Sequence, residues 1–445
     1  MNRLVFAAVA DDDTGASDLA GMLTDQGLRT LLVIDLPTAE QFMVWSDGYH
    51  AVVMAEGTRN LSPTEARERT HAAIRLLKDR QPRVLQIKYC STFDSTDEGN
   101  IGPSIDAALD ELKEDFTIAL PSLPVNGRTT YQGYHFVHRL LLSDSPMREH
   151  PLTPMTNPNL VDLLSRQTKR RVDLASYRDV EAGAEQLKRR FESLRAEGVR
   201  IALVDCLNDR HLETICRACA DLRLITGSSA FGMKMPAIWR ERGWVSEQKD
   251  NGGDAPITAA NDRGCLIVAG SCSDATRAQN EWLQARGAGV TNLHPKELLN
   301  GNINMATLMA QVRDQVAAGR HYLLTTTNSH IDVREVQQWG LSNGLTVPAL
   351  GQTIAYALAD LVLEVLDDLP VGGLIIAGGE TSGALCRRLG LGALRVGRNI
   401  EPGVPLCFSL GSFRLPVVLK SGNFGETNFY GKALGAIAHP AEYMI

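Results

Sequence analysis

The stretch VFAAVADDDTGASDLAGML, residues 5–23, decides the fold. Residues 4–9 form an apolar run of strand length, and Ala16, Leu19, Ala20 and Leu23 recur at helical spacing, so a buried strand hands over to a helix. The turn between them is Asp11-Asp12-Asp13-Thr14-Gly15. A phosphate cradle at such a turn is built from glycines and bare N–H groups, and carboxylates repel phosphate. Carboxylates there accept hydrogen bonds from hydroxyls, hold a metal ion or take a proton from a nucleophile. A helix cap accounts for one or two of these acids, and not for three in a row beside a glycine.

The same alternation runs outward through most of the chain. AVVMAEGT precedes LSPTEARERTHAAIRLLKD, in which Ser62 and Glu65 form a capping box and Pro63 takes the first helical position. VLQIKYC, IALVDCL, LRLITGSSAFG and CLIVAGS are each followed by a helical pattern. This is the signature of an α/β protein with mostly parallel sheets covered by helices on both faces. Asn126-Gly127 between apolar runs predicts a hairpin, and MREHPLTPMTNPNL predicts a structured loop or lid. SEQKDNGGDAPITAANDRG reads as a linker, giving domains 1–245 and 264–445 joined by residues 246–263.

With 445 residues, 44% hydrophobic and 22% charged, the composition is that of a globular protein of two domains. The net charge of −7 and the absence of a basic stripe disfavour nucleic acid as a partner. No apolar run suggests a membrane span, and the N-terminus begins with a strand, so a cytoplasmic location and no membrane partner are expected. The eight scattered cysteines suit reduced thiols; Cys216 and Cys219 have CxxC spacing, but on a helical pattern that reads as two buried small side chains. A homodimer is the base-rate expectation for assembly.

Ligands of parallel sheets sit beyond the carboxyl ends of the strands. Asp11 and Asp12 occupy such an end, as do Arg59 after AVVMAEG and Lys88 in LQIKYC; Asp18 lies in the first helical turn. Arg59 and Lys88 complement an anionic group on a molecule whose hydroxyls the acids read, so a polyhydroxylated acid fits. The C-terminal half carries the opposite chemistry. LIIAGGETSGA places Gly378, Gly379, Glu380, Thr381 and Ser382 between a strand and a helix. VAGSCSDAT adds Ser271 and Ser273, and VVLKSGNFG adds Lys420, Gly422, Asn423 and Gly425. Glycines and small hydroxyls opening a helix offer N–H groups to an anion, and three such strand ends point to a nucleotide site. Together the halves suggest phosphoryl transfer in an interdomain cleft, with Asp12 orienting the attacking hydroxyl and Asp11 and Asp13 as alternatives.

These segments together resemble the four-carbon acid sugar kinase family, from the DDxTGAxD start to KSGNFG. KYCSTFDSTDEGNIGP (88–103), PVNGRTTYQGYHFV (124–137), HPLTPMTNPNL and AGSCS are similar to its branch acting on 3-oxo-tetronate. The resemblance implies a substrate-binding N-terminal domain, an ATP-binding C-terminal domain, and ATP with Mg²⁺ as cofactors. It implies phosphorylation of the terminal hydroxyl of a four-carbon acid, with D-threonate or D-erythronate as alternative substrates. It matches Ser271, Gly379, Glu380, Thr381, Ser382, Gly422 and Asn423 to ATP-contacting positions, and Asp11 and Asp12 to the family's acids; its usual aromatic residue is replaced by Asp13. The segment LLTTTNSHIDVREV departs from the family pattern. A nicotinamide-dependent dehydrogenase is disfavoured because no strand is followed by GxGxxG, and a non-catalytic sensor because the three strand-end motifs are intact.

Overall fold

The computed structural model describes residues 4–150, 153–245, 263–326 and 330–444. The expected linker lies outside the described residues except for Arg263. The chain divides into two compact units, Met1–Gly252 and Gly253–Ile445.

The first unit contains β1 (Phe6–Ala10), β2 (Thr30–Ile34), β3 (Ala51–Ala55), β4 (Val84–Lys88) and β5 (Thr117–Leu120). A small antiparallel sheet follows, made of β6 (Arg128–Tyr131), β7 (Tyr134–Val137) and β8 (Leu140–Leu141). The unit ends with β9 (Val172–Ala175), β10 (Ile201–Val204) and β11 (Leu224–Gly227). The main strands lie in the order β2-β3-β1-β4-β11-β5-β10-β9, all parallel. β1, β3 and β4 are buried throughout, as a sheet covered on both faces requires. The chain leaves β1 toward β2 on one side and β4 toward β5 on the other. Right-handed crossovers in opposite directions place helices on opposite faces and open a crevice beyond the ends of β1 and β4.

The second unit contains β12 (Leu266–Ala269), β13 (Gly289–Asn292), β14 (Tyr322–Thr325), β15 (Leu374–Ala377), β16 (Ala393–Glu401), β17 (Val404–Ser409) and β18 (Pro416–Lys420). Their order is β13-β14-β12-β15-β18-β17-β16. The run from β13 to β18 is parallel, and β17 and β16 extend it antiparallel. The tight connection between β16 and β17 uses Gly403 at φ +78° after Pro402. The first four strands repeat the arrangement of the first unit, with the second and third on one side of the first and the fourth on the other. The crevice therefore falls between β12 and β15.

Two expectations are corrected and a third is met. The hairpin turn is Gln132-Gly133, both at positive φ (53° and 76°), the backbone a two-residue turn needs; Asn126-Gly127 reverses the chain only as far as the bridge between Leu123 and Arg128. The helix Val347–Asp368 is long and apolar enough to cross a membrane, with mean hydropathy 1.5 over Ala349–Asp368, where the sequence reading found no such run. It buries Leu358, Val362 and Val365 on one face and exposes Asp360 and Glu364 on another, the pattern of a helix packed on a core. Cys216 and Cys219 are free thiols buried at the end of the helix Asp209–Ala218. His211 nearby is engaged by Glu181 and by the Leu207 N–H, and no metal-holding cluster exists among the described residues.

Candidate functional site

In the first unit the ends of β1, β3 and β4 are level, Ala10 pairing with both Ala55 and Lys88. The Asp11 N–H donates to the Lys88 carbonyl (3.0 Å) and the Arg59 N–H to that of Asp11 (3.1 Å), which fixes the two turns side by side. Asp12 is the cap of the helix Asp13–Asp25: its Oδ1 accepts from the Gly15 N–H (2.9 Å) and its Oδ2 from the Thr14 hydroxyl (2.7 Å). Asp13 takes the first helical position, where a negative charge meets the helix dipole.

Arg59 binds this chain's own acids. Its Nε donates to Asp11 Oδ2 (2.8 Å), and Nη2 donates to Asp11 Oδ1 (2.9 Å) and Asp12 Oδ1 (2.8 Å). Asp94 Oδ2 stands 3.6 Å from Nη1. The guanidinium is thus already matched by carboxylates, while Lys88, 3% exposed, has no ion-pair partner among the described residues. Burial raises the Asp11 pKa despite Arg59; for Asp12 burial is opposed by Arg59, Lys88 and its two hydrogen bonds, and the net shift is downward. Burial also raises Asp18, which accepts from the Ser229 hydroxyl beyond β11 and feels the charge of Lys88. Gly15 has a packing reason: a Cβ there would overlap Asp12 Oδ1 and stand 2.6 Å from Lys88 Nζ. Asp11, Arg59, Lys88 and Asp94 line a cavity of about 20 Å³, room for a single water.

In the second unit the three glycine-bearing turns follow β12, β15 and β18, neighbours whose ends align at Ala269, Ala377 and Lys420. The helix Gly379–Arg388 starts without a side-chain cap, behind Gly378 at φ +129°, leaving its first N–H groups bare. Ser382 in its first turn is 1% exposed and its hydroxyl has no partner. The Ser273 hydroxyl donates to the Gly422 carbonyl (2.6 Å) and accepts from the Ser271 hydroxyl (3.1 Å), tying the first turn to the third. A Cβ at Gly422 would overlap Ser271 Oγ, and one at Gly270 would overlap Thr381 Oγ1. Uncapped N–H groups, an orphaned buried hydroxyl and turns too close for side chains fit a bound nucleotide phosphate. Asn423 is exposed at the tip of the third turn, and burial raises the pKa of Glu380.

The structure thus brings Asp11, Asp12, Arg59, Lys88 and Asp18 to one strand-end site, and Ser271, Gly379, Glu380, Thr381, Ser382, Gly422 and Asn423 to the turns of another. Sequence reasoning missed Asp94, inside the segment STFDST, because nothing in its spacing marks it as a partner of Arg59. It also missed Gln279, whose amide donates to the carbonyls of Phe424, Gly425 and Glu426.

Residues 6–235 match a sugar-binding N-terminal domain and residues 266–430 a nucleotide-binding C-terminal domain. The 3-oxo-tetronate kinase of Pseudomonas savastanoi pv. phaseolicola is 39% identical, the alignment covering 99% of each chain. The 3-oxo-tetronate kinase of Haemophilus influenzae is 35% identical over 97% of this chain and 99% of that one. A Salmonella typhimurium LT2 crystal structure, provisionally called a tRNA synthase, superposes with a TM-score of 0.83 at 33% identity, covering 97% of this chain and 98% of the other.

Proposed function

This chain belongs to the four-carbon acid sugar kinase family, a sugar-binding domain followed by a nucleotide-binding domain, and from that premise we propose that it phosphorylates the C4 hydroxyl of 3-oxo-tetronate. Residues 1–245 bind the acid and 264–445 bind ATP, and the protein works in the cytoplasm, where its free cysteines stay reduced. The observation that supports the reading best is the chemical contrast between the two strand-end sites: carboxylates with an unpaired lysine in one, bare N–H groups and hydroxyls in the other.

ATP would supply the phosphoryl group, and Mg²⁺ bound with the nucleotide would offset the phosphate charge. Lys88 neutralises the carboxylate of the acid. Asp12, whose side chain is 24% exposed, uses the outward face of its carboxylate to orient the C4 hydroxyl and receive its proton as the oxygen–phosphorus bond forms. Arg59 does not touch the acid; it fixes Asp11 and Asp12 in place. In loose phosphoryl transfer this positioning is most of what a protein contributes. The N–H groups at Gly379 and Gly422, with Ser271 and Ser382, hold the nucleotide phosphates.

A coupled ADP-release assay across 3-oxo-tetronate, D-threonate and D-erythronate tests the proposal. The highest kcat/KM is expected with 3-oxo-tetronate. A clear preference for either reduced acid would replace the substrate, and ATP binding without acid-dependent turnover would replace the kinase by a sensor.

A further inference from the structure

Lys420 ends β18 directly beneath the turn Ser421-Gly422-Asn423-Phe424-Gly425 and is fully buried. Its ammonium donates to the carbonyls of Ser421 (3.0 Å), Gly422 (3.0 Å) and Phe424 (3.1 Å) and to the Thr276 hydroxyl (3.2 Å). The cation sits in a cage of neutral oxygens, the surroundings of a bound monovalent ion more than of an ion-paired lysine. The cage has a geometric consequence. In a trans peptide the C=O and the following N–H point opposite ways. With the Ser421 and Gly422 carbonyls drawn inward, the N–H groups of Gly422 and Asn423 face outward, and among the described residues neither has a protein acceptor.

We propose that Lys420 is a tethered cation that turns the Ser421–Gly425 loop with its carbonyls in and its N–H groups out, thereby creating the anion-binding face of the nucleotide site without touching the nucleotide. This rests on the reading that Gly422 and Asn423 contact ATP. Lys420 is a positioning residue, distinct from lysines that reach phosphate through their own ammonium. Burial lowers its pKa to about 8, which Glu401 partly opposes; Glu401 itself pairs with Lys432 on the neighbouring helix, and the Phe429 ring lies 6.0 Å from the ammonium. The loop therefore loses its organising charge as pH rises through about 8.

The test uses the full-length enzyme. Lys420→Met keeps the stem and removes the charge; the KM for ATP is expected to rise about tenfold or more, the scale of hydrogen bonds to a charged donor, with the KM for the acid unchanged. In Lys420→Ala, ammonium chloride is expected to restore ATP affinity where tetramethylammonium chloride at equal ionic strength does not. An unchanged ATP KM in Lys420→Met overturns the proposal, as does loss of both substrates with no ammonium rescue. If neither variant folds, the parent enzyme decides: its ATP KM must rise above about pH 8, and a flat profile to pH 9.5 overturns the proposal. Gly422→Ala separates the two readings. If it leaves ATP affinity intact, the loop is not the nucleotide loop; if it weakens ATP while Lys420→Met does not, only the role of Lys420 fails.

Discussion

Gly15→Ala is the substitution at which helix propensity and the site pull in opposite directions. Gly15 lies in the first turn of the helix Asp13–Asp25, where alanine would normally gain up to about 1 kcal/mol. Here the new Cβ would overlap Asp12 Oδ1 and crowd Lys88 Nζ, so the Asp12 carboxylate must turn away. Turning it breaks the cap bond from the Gly15 N–H, about 1 kcal/mol, and the charge-assisted bond from Arg59, about 1.5–3 kcal/mol. Both side chains of that pair are partly solvated, so the lower end applies. The balance is a net loss of about 1–2 kcal/mol. If Asp12 orients the attacking hydroxyl as proposed, kcat should also fall by about 10²-fold, with the KM for ATP unchanged. Urea denaturation and the ADP-release assay read the two effects separately. A Gly15→Ala enzyme that is more stable than the parent and keeps its kcat would refute both the close packing and the role of Asp12.

Asp12→Asn should lower kcat by about 10²-fold while ATP still binds by calorimetry, and Asp13→Phe should be tolerated; the reverse pattern makes Asp13 the working acid. Arg59→Met should destabilise the fold by about 3 kcal/mol because it leaves Asp11, Asp12 and Asp94 together without their cation. Since Arg59 holds Asp12 below the usual carboxylate range, its loss lets the acids take up protons, so the deficit should be smaller at pH 5 than at pH 8; equal denaturation deficits would count against this. His135 is buried and held down to about 4, so the folded state stays neutral while the unfolded chain protonates below about 6.5. Its contribution is intact above pH 6.5 and lost as pH falls toward 4, up to about 3 kcal/mol. His135→Gln should flatten the fall in unfolding free energy over that window, and an unchanged slope would exclude His135 as its source.

The elements near the opening stretch were legible because local rules agree there. Ala16, Leu19, Ala20 and Leu23 are all buried, and Ser62 and Glu65 form the expected capping box ahead of a helix that starts at Pro63. What stayed hidden depends on partners far along the chain. That Arg59 has carboxylate partners of its own was not legible, because they come from the turns after two other strands. Which of three aspartates caps the helix is settled by backbone geometry: Asp12 is extended, at φ −147° and ψ 159°, and its carboxylate reaches the Gly15 N–H. Lys420 looked like part of a phosphate loop, and only the fold shows its ammonium turned beneath that loop. Asn126-Gly127 carries the stronger turn signal, yet the hairpin closes at Gln132-Gly133, because the residues flanking that pair are the ones that pair across the sheet.

The two units share a topology for their first four strands, so what distinguishes their sites is where each puts its positive charge. In both, a buried donor gathers loop carbonyls: the Asn100 amide takes those of Thr58, Arg59 and Leu61, as Lys420 and Gln279 do in the second unit. In the first unit a neutral amide does this, which leaves the cations Arg59 and Lys88 beside the carboxylates of Asp11, Asp12 and Asp18. In the second a cation is spent beneath the loop, and what faces outward is backbone N–H. Fixed N–H dipoles suit a phosphate chain whose charge is shared with a metal ion. A carboxylate set between an arginine and a lysine suits a hydroxyl that must be aimed and stripped of a proton. Exchanging the two ligands would set phosphate against Asp11 and Asp12, so the charge placement agrees with the sugar-binding match of the first unit and the nucleotide-binding match of the second.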